Sequence, residues 1–208
     1  MTMPLPTAPQ DRTSTFRAAI LRKAEESRET IHNFFEENAG RIEKLALEMA
    51  ERFRSGARLF VMGNGGSACD AEHVSVEFMH PIFEKRRALP AVSLSNETAL
   101  ITAISNDTDF SKIFSTQLKQ LGSGQDIAIA ISTSGMSANL VLALKEARKI
   151  GMLTAAFSGK DGGRLNDEAD FCLIVPAYSI HRIQEAHVVL LHIIWDLVHL
   201  ALGEEDIV

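Results

Sequence analysis

Residues 58–79 read RLFVMGNGGSACDAEHVSVEFM. Leu59 to Met62 is a short apolar run that suits a buried strand. Gly63-Asn64-Gly65-Gly66-Ser67 then permits a tight turn whose backbone N–H groups are left open, because no Cβ stands in the way. A helix starting near Ser67 or Asp70 completes the unit. A strand, a glycine turn and a helix N-terminus together favour an anion, most often a phosphate. One turn into that helix stand His73 and Glu77, four apart and so on one face. An anion cradle with a base or metal ligand just beyond it points to chemistry on a small phosphorylated molecule.

The rest of the chain repeats this alternation. Ala91 to Leu94 reads as a strand, with helices over Glu97 to Ser105 and Phe110 to Leu121 separated by Asn106-Asp107. Ile127 to Ile131 (IAIAI) is a buried strand, followed by the loop Ser132-Thr133-Ser134-Gly135-Met136-Ser137 and a helix from Ala138 to Ile150. Met152 to Phe157 is a strand, Ser158 to Gly163 a third small-residue loop, Phe171 to Val175 the last strand and His181 to Leu202 the closing helix. Ahead of the first strand, helices over about Phe16 to Glu37 and Ala39 to Arg54 are expected, the first capped by Ser14 or Thr15. Continuously apolar strands alternating with helices predict an α/β fold: a three-layer α/β/α sandwich on a central parallel sheet. In such sheets ligands bind at the carboxyl ends of the strands, where all three loops fall.

The chain has 208 residues and a formal net charge of −6. That length fits one domain, over residues 13–208, behind a loose tail at 1–12. The acidic balance argues against general nucleic-acid affinity. Cys69 and Cys172 make no disulfide framework, which fits a reducing compartment. The N-terminal residues lack the apolar core of a signal peptide. The apolar stretch Val188 to Leu202 is interrupted by His192, Asp196 and His199 and reads as too short and polar for a membrane span. The expectation is a cytoplasmic protein with no membrane and no nucleic-acid partner.

Three features could carry chemistry. The 132–137 loop places three serines and a threonine before a helix, so hydroxyls and amides could wrap a phosphate without Lys or Arg. Capping explains one such hydroxyl but not four. His73 and Glu77 could ligate a metal, or Glu77 could act as a general base; alone, they could equally be a solvated i,i+4 pair. The last helix carries His181, Gln184, His187, His192 and His199. Gln184 and His192 are about 12 Å apart along a helix axis. They can share a metal only if the helix begins after Gln184, or if they serve different copies of a site built between subunits. Cys69, near a helix N-terminus, would need a base aimed at it to be a nucleophile, and none is evident.

GNGGSACDAEH, HVSVE, ISND at 104–107, ISTSGMSAN, SGKDGG and RIQEAH together resemble the sugar isomerase (SIS) domain, and most of all the phosphoheptose isomerase family, over roughly residues 14 to 200. The resemblance implies a flavodoxin-like SIS sandwich, a homotetramer with active sites at subunit interfaces, and conversion of sedoheptulose 7-phosphate to D-glycero-D-manno-heptose 7-phosphate for surface glycans. It implies phosphate-binding hydroxyls at Ser132, Thr133, Ser134 and Ser137. Further substrate contacts fall at Asn64, Gly65, Gly66, Ser67, Glu77, Asn106, Asp107 and Gln184. It also implies a catalytic pair, Glu77 and His192, and zinc ligands His73, Glu77, Gln184 and His192. His181, Glu72 and Met136 depart from the family pattern. A related protein binds the replication initiator as a scaffold, and SIS domains also sense sugar phosphates. A binding-only relative needs no base, acid or metal ligands, and this chain has all of them.

Overall fold

The apolar runs fold into five parallel strands: β1 (Leu59–Gly63), β2 (Ala91–Ser93), β3 (Ile127–Ser132), β4 (Leu153–Gly159) and β5 (Phe171–Val175). The structure is a computed structural model and describes residues 12–82 and 85–206. Strand order is β2-β1-β3-β4-β5, so the chain steps outward from β1 to β2 and then returns to the other side of β1. The order reverses between β1 and β3, the place where doubly wound sheets leave a crevice. In register, Leu59 lies beside Ile127 and Gly63 beside Ile131.

Side chains alternate across each strand and sort the core into two layers. Leu59, Val61, Ile127, Ile129, Ile131, Phe157 and Leu173 face helices α1 (Arg12–Arg54), α2 (Gly66–Met79) and α7 (Ile180–Ala201). Phe60, Met62, Ala128, Ala130 and Ala156 face α3 (Thr98–Asp107), α4 (Ile113–Leu121), α5 (Ala138–Ile150) and the single turn α6 (Leu165–Glu168). This is the expected α/β/α sandwich, with several boundaries moved.

The two expected N-terminal helices are one, the 43-residue α1. Asn38 does not break it, because its amide donates to the Phe34 carbonyl at 2.9 Å and stays inside the helix. Residues 1–11 of the expected tail lie outside the described residues, and Arg12 is already helical, so Ser14 and Thr15 stand inside α1 rather than cap it. At ~1.5 Å per residue α1 is about 65 Å long, far more than the sheet needs. Its C-terminal half buries Phe34, Leu45 and Met49, while Phe16, Ile20 and Leu21 in its N-terminal half are exposed.

Asn106 and Asp107 are the last turn of α3 rather than a break; a 3-10 turn over Phe110–Lys112, opened by Asp109 accepting from the Ser111 amide, makes the connection to α4. Taken whole, α7 is long and apolar enough to cross a membrane by length and composition only, a test that buried core helices also pass, and half of its apolar window is buried in the fold.

His187 on α7 is wholly buried beneath the end of β4, with Nε2–H donating to the Ser158 carbonyl at 3.1 Å. Burial is the main cause that pushes its pKa down from 6.5 to about 4, the Ser158 bond opposing. An unfolded chain therefore binds a proton at this residue that the folded chain refuses between those values. Stability falls as pH drops from about 6.5 toward 4, by up to roughly 3 kcal/mol from this group. Thermal melts of the wild type and His187→Gln across that range should show a flatter pH dependence in the variant.

Candidate active site

The site grows from three loops at the carboxyl edge of the sheet. After β1, Gly65 adopts φ +57° and α2 begins at Gly66, with Ser67 buried and its amide donating to the Asn64 carbonyl at 3.1 Å. The Asn64 side chain turns toward α5. Its amide nitrogen donates to Asn139 Oδ1 at 3.0 Å and its oxygen accepts from Asn139 Nδ2 at 2.8 Å. This reciprocal amide pair fastens the glycine turn to the helix that follows the serine loop. Asn139 was not singled out from sequence; its place directly after the serine loop was the only signal.

In the serine loop the hydroxyls gather inward. Ser132 Oγ lies 3.5 Å from Ser134 Oγ and 3.4 Å from Ser137 Oγ. Ser137 occupies the N-cap of α5 yet makes no side-chain cap bond, so simple capping does not account for it. The amides of Gly135 and Met136 donate to Ser132 Oγ and Ser134 Oγ at 3.2 and 3.3 Å. Thr133 is half-buried in the same turn. Gly135 holds φ +63°, and a Cβ there would lie 1.9 Å from the Gly162 carbonyl of the third loop. The two loops are thus packed backbone against backbone, and the Leu165 amide closes the join on the Gly135 carbonyl at 3.1 Å.

A His–Glu–His cluster forms between α2 and α7. His192 Nε2 on α7 lies 3.3 Å from His73 Nε2 on α2. His73 Nε2 is also 3.3 Å from Glu77 Oε1. The donor atoms of His73, Glu77 and His192 all fall within 4.8 Å of one another, with the two imidazoles edge to face. Two ring nitrogens and a carboxylate oxygen thus lie close together, and two His with one carboxylate is a zinc donor set that leaves positions open. The residues present therefore fit a divalent cation. A cavity of about 380 Å³ lies alongside, lined by Glu77, His192, Ile82, Ile193, Trp195, Asp196 and Leu197.

Gln184 is not in this cluster. The helix α7 starts at Ile180, before Gln184, which removes the possibility that a late helix start brings Gln184 and His192 to one point. Its amide instead lies over the first loop, where a Cβ on Gly66 would be 2.3 Å from Gln184 Nε2. Asn106 and Asp107 are exposed and bond to each other at 2.9 Å. Asp70, one turn before His73, was not foreseen: it is buried, its Oδ2 has no hydrogen-bond partner, and burial pushes its pKa up to about 6 against the pull of His73.

A sheet with this order, hydroxyl-lined loops at its carboxyl edge and a His–Glu–His cluster between α2 and α7 match a sugar-phosphate domain of the SIS type. The model of the SIS domain family matches residues 24–159. A phosphoheptose isomerase of Roseiflexus sp. (strain RS-1) is 39% identical over 191 residues, covering 92% of this chain and 97% of that protein. One of Geobacter sp. (strain M21) is 46% identical over 157 residues, covering 76% and 82%. The solved structure of a phosphoheptose isomerase from Francisella tularensis superposes with a TM-score of 0.85 at 32% identity, covering 91% of this chain and all of that one. The chain belongs to the SIS-domain family and, within it, to the phosphoheptose isomerases, which are sugar-phosphate isomerases.

The contact between Gly135 and Gly162 gives a direct test. Gly135→Ala forces a left-handed side-chain residue against a backbone carbonyl and should cost at least about 1–3 kcal/mol in thermal or denaturant unfolding. Gly40→Ala, on an open helix face with nothing within 4 Å, should be neutral or slightly stabilising in the same assay.

Proposed function

We propose that the chain interconverts sedoheptulose 7-phosphate and D-glycero-D-manno-heptose 7-phosphate through an enediol. The observation that carries the reading is the meeting of Glu77 and His192, from helices far apart in sequence, in one cluster. An aldose–ketose shift needs a base for a carbon-bound proton and a second group for the oxygen-bound ones. Glu77 takes a proton from C1 of the ketose and returns it to C2. His192 moves the hydroxyl protons that convert the C2 carbonyl to a hydroxyl and the C1 hydroxyl to a carbonyl.

The phosphate rests on the Ser132, Thr133, Ser134 and Ser137 hydroxyls and the nearby amides. Asn64, Gly65, Gly66, Ser67, Asn106, Asp107 and Gln184 contact the rest of the sugar. Zinc held by His73, Glu77 and His192, with Gln184 as a further ligand, would supply Lewis acidity toward the substrate carbonyl. Because Gln184 stands two turns away from His192 on the same helix, its part in a metal site is read as a contribution to another copy's centre. The exposed apolar side chains of α1, Phe16, Ile20 and Leu21, support self-association, and the reading is a homotetramer with sites between subunits. The exposed Cys69 and buried Cys172, both free, fit the reducing cytoplasm. A binding-only role would leave the convergence of His73, Glu77 and His192 without a task.

Glu77→Gln and His192→Gln should each lower kcat on sedoheptulose 7-phosphate by a factor of at least about 100, with circular dichroism and oligomer size unchanged. Near-normal turnover by either would remove that residue from its role. Ser132→Ala with Ser134→Ala should raise KM by about 10-fold or more, because each hydrogen bond to a charged group contributes about 1.5–3 kcal/mol. An unchanged KM would place the phosphate elsewhere.

A further inference from the structure

Residues 85–89 connect the two helices that carry the cluster. At one end, the Leu89 amide donates to the Phe78 carbonyl at 2.7 Å, at the residue directly after Glu77. At the other, Arg86 reaches α7. Its Nη2 donates to Asp196 Oδ1 at 2.5 Å and to the Glu205 carbonyl at 3.2 Å, and its guanidinium lies 4.6 Å from the centre of the Trp195 ring. The Arg86 side chain is 1% exposed. Asp196 is one helical turn beyond His192, and both line the same cavity as Glu77. The neighbouring residues strengthen the join: Arg87 pairs with Glu204 at 2.8 Å, and Glu204 in turn meets His199 Nδ1 at 2.9 Å.

We propose that Arg86 is a positioning residue for the His73–Glu77–His192 cluster, fixing the spacing of α2 and α7 by gripping Asp196. The inference rests on reading that cluster as the reactive centre. Surface ion pairs fix little, because water competes for both partners. Arg86 differs because its charge is out of water, so its pairing with Asp196 has no solvated alternative of similar energy. The indole face and the Glu205 carbonyl then define where the guanidinium must sit. Among the described residues Nε and Nη1 have no hydrogen-bond partner, and the grip on α7 runs through Nη2 and the stacking on Trp195. A flat, forked guanidinium meets these conditions and a lysine ammonium does not. His192 itself is exposed on the cavity side, so its approach to His73 depends on where α7 is held.

The test compares Arg86→Lys and Asp196→Asn with Lys85→Ala, whose side chain is 80% exposed in its pair with Glu205. Folding is checked by circular dichroism and melting. Zinc affinity is measured by competition with a chromophoric chelator, and kcat and KM are measured with sedoheptulose 7-phosphate. Arg86→Lys and Asp196→Asn should weaken zinc about 10- to 100-fold and lower kcat with little change in KM, while Lys85→Ala matches the wild type. Folded Asp196→Asn protein with zinc affinity and kcat within about twofold of wild type overturns the proposal, even if Arg86→Lys does not fold. A wild type that binds zinc but does not turn over the heptulose sinks the proposed reaction, and the zinc affinities still decide the role of Arg86.

Discussion

Parallel strands all release their carboxyl ends on one edge, and the rest of the molecule depends on that constraint. Gly63, Ser132 and Gly159 end β1, β3 and β4 side by side, so the loops that follow them open onto one rim although they lie far apart in sequence. Helices return from that rim along both faces. α2 and α7 run on the same face, and their side chains can therefore meet. The meeting of His73, Glu77 and His192 needs no special bend or insertion; the topology delivers it.

Much of this was legible in the amino-acid sequence, for physical reasons. Buried parallel strands must be apolar on both faces, which is why Ile127 to Ile131 stood out. Small residues directly after such runs marked the rim. His73 and Glu77 were readable as a pair because four residues is a helix turn. What failed was local: Asn38 and Asn106 looked like breaks because asparagine competes for backbone bonds. In the structure the Asn38 amide satisfies a carbonyl within its own helix, and the Asn106 side chain donates to its neighbour Asp107. The single turn α6 has too few residues to leave a periodic signal.

The contacts that pattern could not show are the long-range ones. Arg86 and Asp196 are separated by 110 residues, and a basic run such as Lys85-Arg86-Arg87 reads as a solvated surface until the fold buries its middle member. Asn139 and Asp70 lie inside motifs that were noticed for other residues. Sequence periodicity reports which face a residue occupies; it does not report what stands opposite. The same limit applies to Gln184: helix spacing separates it from His192, and only the fold shows that it lies over Gly66.

The amide pair between Asn64 and Asn139 has a consequence of its own. Neither side chain carries an ionisable atom, so this joint between the glycine turn and the helix behind the serines is silent to titration. Acidifying or alkalising the solution leaves the two carboxamides with the same donors and acceptors. Whatever the acidity dependence of this protein, that joint between the two loops contributes nothing to it.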